Sequence, residues 1–479
     1  AFISVTAKQM KALRLKSGWL RVDSTQISSN IRQMTRLQLL VEVIQRVHRM
    51  LSEADRALYA ADLAPYLKGT SGHFVYRVRG DEARGHVQEI GVLMQRLVAE
   101  LATLYGEHPT YKILCRVFQE QYQVVSRGAP QKPAGGSENS GNPPRSEPMD
   151  VALVSQILSE ADAAAELADV DEAPAEPEPE PVQGDAQQTS AVEPRPGKEI
   201  SPSSLRSPDD PDATYRKKGS RSYEGYATAI TETCEPENPL QLIVKVQTDS
   251  NTREDAEFLR EALPELKERT QVHTIYTDAG FCSHAADQDL RRLQVTQVPT
   301  GIRGHVPRPD VFGLADFRYD LDPAGGPVSV TCPHGHTATV EPGKKPGRYR
   351  VRLSECCRPT VNTGNLHGQK NGVLLRFSRN ELDTALRRQR CRDYHQEGHN
   401  YRSAVESTVG AIKRPFTDDQ LPVRGKMRMG MLLIGAAIMV NIRRIHRYRV
   451  AQRKAQARET LNNPGTSFLS ALFDRLQRL

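Results

Sequence analysis

The sequence predicts a layered α/β protein, and three observations carry that expectation. Between residues 221 and 302, strand and helix patterns follow the order β, β, α, β, α, β. Near the start, GWLRVDSTQISSNI (18–31) opens with a short alternating run that reads as a further strand, with Asp23 at or near its end. Near the C-terminus, Val405, Val409, Ile412 and Phe416 recur at the spacing of a helix packed on a core.

The elements follow in order. Residues 1–33 hold the first strand. From 34 to 127, segments such as RLQLLVEVIQRVHRML and HVQEIGVLMQRLVAELATLYG repeat apolar residues at spacings of three and four, which predicts an inserted helical bundle. Residues 128–205 turn to Pro, Gly, Ser, Ala and Glu, as in APAEPEPEPEPVQG, and are expected to be disordered. The span 206–302 then supplies two antiparallel strands, SYEGYATAITETC and LQLIVKVQTDS. A helix over TREDAEFLREALPELKERT, a buried strand VHTIYTDAG, a helix SHAADQDLRRLQ and a strand VTQVPTGI complete it. Residues 303–398 read as an irregular β-rich insertion with short strands, and 399–450 as the closing helices. Residues 451–479 read as a basic tail.

A chain of 479 residues with 38% hydrophobic content accommodates two or three domains around a real core. Its longest apolar run, Met429 to Val440, is too short to span a bilayer and reads as a buried helix, so no membrane partner is expected. Seven cysteines, an odd number without a secretion signal, point to a reducing cytoplasm rather than a disulfide framework. A start on Ala1 without Met is read as the mark of a fragment or processed form. The formal charge is +7, yet residues 130–200 hold fifteen acidic and four basic residues, net −11, which leaves +18 for the remainder. Such a surplus favours a polyanionic partner, nucleic acid foremost.

Three carboxylates stand out by position: Asp23 on the first strand, Asp278 ending a later strand, and Glu406 on a helix after the sheet. Open α/β sheets place their chemistry at strand ends, and hard divalent ions bind through such oxygens. Each has a plainer use as well, Asp23 as a cap, Asp278 before Ala-Gly as a turn residue, Glu406 on a solvated helix face. On an ideal helix His399, Arg402, Glu406 and Lys413 fall within roughly 60° of one another, so the bases can hold phosphate beside the acid or form ordinary helix ion pairs.

The run LRVDSTQISSNIRQMTRLQLL resembles the first-aspartate motif of bacterial insertion-sequence DDE transposases. SPDDPDATYRKKG with YEGYATAITE, then YTDAGFCS, then NYRSAVESTVGAIKRPF with LPVRGKMRMGMLLIGAAIMVNIRRI, resemble successive blocks of the same family. The resemblance implies a ribonuclease H-like mixed sheet flanked by helices, with Asp23, Asp278 and Glu406 as a DDE triad holding two Mg²⁺ or Mn²⁺ ions. It further implies metal-dependent cleavage of transposon ends and joining of the 3′-hydroxyl to target DNA. A homodimer in the DNA complex and a bacterial, nucleoid-associated location go with it. The glutamate block is also similar to a Tyr-x2-Arg-x3-Glu-x6-Lys signature of related transposases. Arg402, Glu406 and Lys413 fit its spacing, while His399 stands at the Tyr position and Tyr401 follows two residues later.

Further DNA contacts are expected from Arg216, Lys217 and Lys218, and from Arg443 and Arg444 with His446 and Arg447. Cys332, His334, Cys356 and Cys357 supply enough ligands for a structural zinc, although the adjacent pair does not make a CxxC knuckle, and reduced cysteines are the default. Phe312, Phe317 and Tyr319 can stack on an unpaired base or pack in the core, and Trp19 reads as core. Two other readings stay open: an inactive or truncated transposase-derived DNA-binding protein, and a ribonuclease H-like nuclease that cuts without joining.

Overall fold

A strand buried on both faces belongs in the middle of a layered structure, and Trp19–Ser28 (β1) is such a strand. A computed structural model of the chain describes residues 2–126, 190–302, 304, 312–353, 366–369, 372–398 and 400–462. They divide into two units, one of residues 1–31 with 209–479 and one of residues 32–208.

The first unit opens with a helix, Phe2–Ala12 (α1), ahead of β1. Its sheet continues with Thr214–Lys218 (β2), Arg221–Thr233 (β3), Ile243–Ser250 (β4), Thr274–Thr277 (β5) and Thr296–Pro299 (β6). β1 lies between β3, antiparallel, and β5, parallel; β6 continues parallel from β5, and β2 and β4 both pair antiparallel with β3. The protein is thus mixed α/β, with a mixed sheet flanked by helices.

Alternation along β1 sorts its side chains. Leu20 and Val22 join Ala227 and Ala229 of β3 in one core, against Phe258, Leu259 and Leu263 of Asp255–Thr270 (α2) and Ala286 and Leu290 of His284–Arg292 (α3). Each large apolar side chain fully buried there contributes about 1.5–3 kcal/mol. The other face of β1 presents Arg21, Asp23, Thr25 and Ile27. Ile27 packs with Ile412 of Ser403–Lys413 (α5, after α4 at Arg379–Glu397) and with Met429 and Leu433 of Lys426–Asn462 (α6). Glycine is required at one crossing: a Cβ on Gly225 of β3 would fall on the carbonyl oxygen of Ile27 and the amide of Ser29.

By length and composition Lys426–Glu459 is apolar enough to cross a membrane. In the fold, its stripe Met429, Leu433, Ala437 and Val440 is buried in the core it shares with Ile230 and Ile243. Asn441, also buried, binds both backbone groups of Ile243 at 2.9 Å.

Residues 303–398 contain short strands, including Arg318–Leu321, Pro327–Thr331 and Arg348–Leu353. They also contain α4, a 19-residue helix that the expectation of irregular β structure missed. Phe317 is fully buried and Tyr319 packs on Phe377, so these aromatics serve the core rather than a base stack, with Phe312 packed against the same cluster. Trp19 likewise packs, against Tyr276 and Tyr401.

The second unit is built on Arg36–Met50, capped by Thr35, whose hydroxyl accepts from the Gln38 amide. Its Leu40, Val43, Ile44 and Val47 meet Ile90, Met94 and Leu97 of Ala83–Glu100 and Leu114 and Val117 of Pro109–Gln121. Residues 190–194 correct the expected disorder through 205: they form a strand paired with Tyr122–Ser126, and Val192 is buried in the helical core. Residues 128–189 of that expected segment lie outside the described residues.

Candidate functional site

Parallel register brings the first two carboxylates level. Trp19, Leu20 and Arg21 pair with Thr274, Ile275 and Tyr276, and two more steps along both strands set Asp23 beside Asp278. Asp23 is therefore mid-strand in β1 rather than at its end. It lies beyond the last residue that the short β5 pairs. Asp278 starts the turn Ala279–Phe281 and its Oδ1 accepts from the Gly280 amide at 2.8 Å, so its turn role holds too. Its Oδ2 is left to face the site.

The third carboxylate arrives on α5. Val405, Thr408 and Ile412 are buried against the sheet, while Glu406 lies on the opposite side, its side chain 63% exposed. Arg402 stands among all three. One terminal nitrogen, Nη2, lies 2.9 Å from Asp23 Oδ1 and 4.0 Å from Asp278 Oδ2. The other, Nη1, lies 3.2 Å from Glu406 Oε1. Residues 23, 278, 402 and 406 thus share one pocket of charge, three acids against one guanidinium.

That imbalance is felt most at Asp23, which is buried. Burial pushes its carboxyl above the usual carboxylate value, the charge of Asp278 adds to this, and Arg402 opposes both. Carboxylate oxygens are hard donors of the kind that divalent cations take, and here three of them share a single guanidinium.

Other expected contacts land differently. Lys413 pairs within the fold: its Nζ lies 2.8 Å from Asp419 Oδ2 and 3.1 Å from Thr25 Oγ1, which ties the end of α5 to β1. The Arg444 guanidinium is drawn inward to Glu232 at 2.6 Å. Arg216 is half-buried and donates to the Asn251 carbonyl at 3.1 Å. Lys217, Lys218, Arg443, His446 and Arg447 are exposed. His399 lies outside the described residues, as do Cys356 and Cys357 of the expected zinc set. Of that set's described half, Cys332 is buried with its Sγ 3.9 Å from His336 Nδ1, while the His334 ring packs on Phe312. Burial pushes the Cys234 thiol up to about 12 and the Cys282 thiol to about 11, so both remain protonated at neutral pH.

Among the described residues, the one group of three His, Cys, Asp or Glu ligands whose donor atoms all lie within 4.8 Å of one another is His284 with Asp287 and Asp383; the oxygens of Asp23, Asp278 and Glu406 are not drawn that close together. Its carboxylates are already committed. Asp287 is paired with Arg387, and Asp383 with Arg291 at 2.8 Å and Arg379 at 3.1 Å, so a cation there would have to displace guanidinium groups.

Long-range pairing supplies residues that no local pattern marks. Glu232 of β3, fully buried, accepts from Arg21 Nε at 2.8 Å and from the Thr408 hydroxyl at 2.9 Å. Asp210, from the SPDDPD block, is also buried. It binds Ser29, the Tyr226 hydroxyl at 2.6 Å and the Gly425 amide at 2.9 Å, joining the end of β1 to β3 and the start of α6. No family model, curated protein or solved structure matches the chain.

Proposed function

We propose that the chain is a DNA transposase of the DDE type, with Asp23, Asp278 and Glu406 as its metal-holding triad. One observation carries this reading: carboxylates 255 and 128 residues apart along the sequence reach a single guanidinium, that of Arg402. The sheet, antiparallel on one side of β1 and parallel on the other, supports the finer expectation of a ribonuclease H-like core.

Two Mg²⁺ or Mn²⁺ ions held by the triad would activate the attacking oxygen and stabilise the leaving one in phosphodiester cleavage and strand transfer. The chain's own residues prepare that chemistry. Asp23 is fixed within the sheet and Asp278 is oriented by its bond to the Gly280 amide. Glu406 stands on the exposed side, where a DNA strand can approach. Once relieved of the carboxylates, Arg402 can present its planar fork of donors to a phosphate. Lys217, Lys218, Arg443 and Arg447 add exposed positive charge of the kind that attracts a phosphate backbone.

The test is end cleavage and joining on labelled duplexes carrying the element's terminal repeats. Asp23→Asn, Asp278→Asn and Glu406→Gln should each fold and each lower metal-dependent cleavage by at least about 10²-fold, the scale of losing one positioned electrostatic group. Retained cleavage in any of them sinks the triad. Cutting without joining by the unaltered chain would favour a nuclease, and binding alone a regulatory protein.

A further inference from the structure

A second charge cluster sits on the same face of the sheet, and its glutamate is closed to solvent where Glu406 of the triad is exposed. Its centre is Glu232, directly opposite Arg21 in the register of β1 with β3. Arg21 lies two residues before Asp23 and so on the same face of the strand. From there it reaches in two directions, donating through Nε to Glu232 at 2.8 Å and through Nη1 to the Tyr401 carbonyl at 2.7 Å. Arg444 closes the cluster from α6, donating to Glu232 at 2.6 Å and to the Gln241 carbonyl at 3.1 Å, and bonding the Thr408 hydroxyl.

Thr408 is the link to the triad. It follows Glu406 by two residues, about 200° around a helix, so seating Thr408 on the sheet turns Glu406 to the open side. Its hydroxyl accepts from Arg444 and donates to Glu232. Along one face of β1, then, Arg21 holds the chain just before α5, Asp23 holds Arg402, and Thr25 meets Lys413 at the end of the helix. An apolar cluster of equal volume would stabilise as well or better but would not set a direction. A satisfied hydrogen-bond network does.

We propose that Glu232 is a positioning residue. Through Thr408 and Arg21 it fixes the rotation and register of α5 on the sheet, and so aims Glu406 and Arg402 at Asp23 and Asp278. This role rests on the metal-site reading of the triad.

The experiment uses the full chain and Mn²⁺ as the probe. It compares Thr408→Val, which keeps shape and loses the hydroxyl, with Thr408→Ser, which restores the hydroxyl, and with Glu232→Gln. Titration calorimetry reads Mn²⁺ affinity, hydrogen exchange reads the amides of residues 405–413, and Tm reads global folding. Thr408→Val should weaken Mn²⁺ binding about tenfold and speed exchange across α5, with Tm within a few degrees of the unaltered chain. Thr408→Ser should recover both properties. Glu232→Gln should move both in the same direction, with a larger fall in Tm. Unchanged affinity and exchange in Thr408→Val would overturn the proposal. Glu406→Gln separates the two ideas: if it leaves Mn²⁺ binding untouched, the metal reading fails and the aiming role with it. The exchange data would then show only whether the clamp holds the helix.

Discussion

Removing the guanidinium from the carboxylate group gives the sharpest consequence of its geometry. In Arg402→Ala, Asp23 loses its cationic partner at 2.9 Å while remaining beside Asp278. Both members of that pair are largely buried, with side-chain exposures of 16% and 13%. Breaking a fully buried pair costs about 3–5 kcal/mol, and losing a charged hydrogen bond at a less buried site about 1.5–3 kcal/mol. This pair lies between those limits. The contact to exposed Glu406 adds little. A loss of about 2–4 kcal/mol follows, which at about 2.1 cal/mol/K per residue is about 2–4 °C in Tm for a protein of this size. The assay is calorimetry with EDTA and with excess MnCl₂. In EDTA the variant should melt lower by that amount. In Mn²⁺ the gap should narrow, because a cation at 100 times its Kd restores about 2.7 kcal/mol and no longer competes with Arg402. An equal gap in both buffers, or none in EDTA, would refute the reasoning that these carboxylates share one cation site.

Two further outcomes test the frame around the site. Gly225→Ala should destabilise the protein by about 1–3 kcal/mol, since the new methyl would meet backbone atoms of β1 that cannot give way as a side chain can; an unaltered Tm would contradict the close approach of β3 to β1. Asp249 ties β4 to the start of α6 through Lys426 at 2.7 Å, and also binds the Ser250 amide and Arg253. Burial works against its charge, yet these bonds hold its carboxyl below the ordinary 3.8. With the folded value depressed, its contribution is present above pH 3.8 and is lost as pH falls through the folded value. The Tm gap between the unaltered chain and Asp249→Asn should thus be steady at neutral pH and shrink in acid, and a gap that grows in acid would reverse the assignment.

What could be read from the sequence was set by local pattern. The seam of α5 and the strands of the sheet announce themselves because each repeats its apolar residues at its own period. The long helix α4 does not. Its RNELDTALRRQRCRDYHQE carries few apolar residues, and its Arg387 and Arg392 meet their partners Asp287 and Asp316 only in three dimensions. One local sign was present, the Ser378 and Glu381 capping box that starts it. Arg444 shows the same limit at a single residue. Within a basic run it reads as a phosphate contact, and only the antiparallel pairing that buries Glu232 explains why it turns inward. Asp23 was legible as a candidate, but its mid-strand place was not, because β1 continues to Ser28 through its long-range pairing with β3.

The most direct measurement of the central claim is where a divalent ion sits. Anomalous diffraction from crystals grown with Mn²⁺ should show density bounded by the carboxylates of Asp23, Asp278 and Glu406, with the Arg402 guanidinium displaced from between them. Density only at His284, Asp287 and Asp383, or none beside Asp23 with Arg402 still bridging the acids, would contradict it.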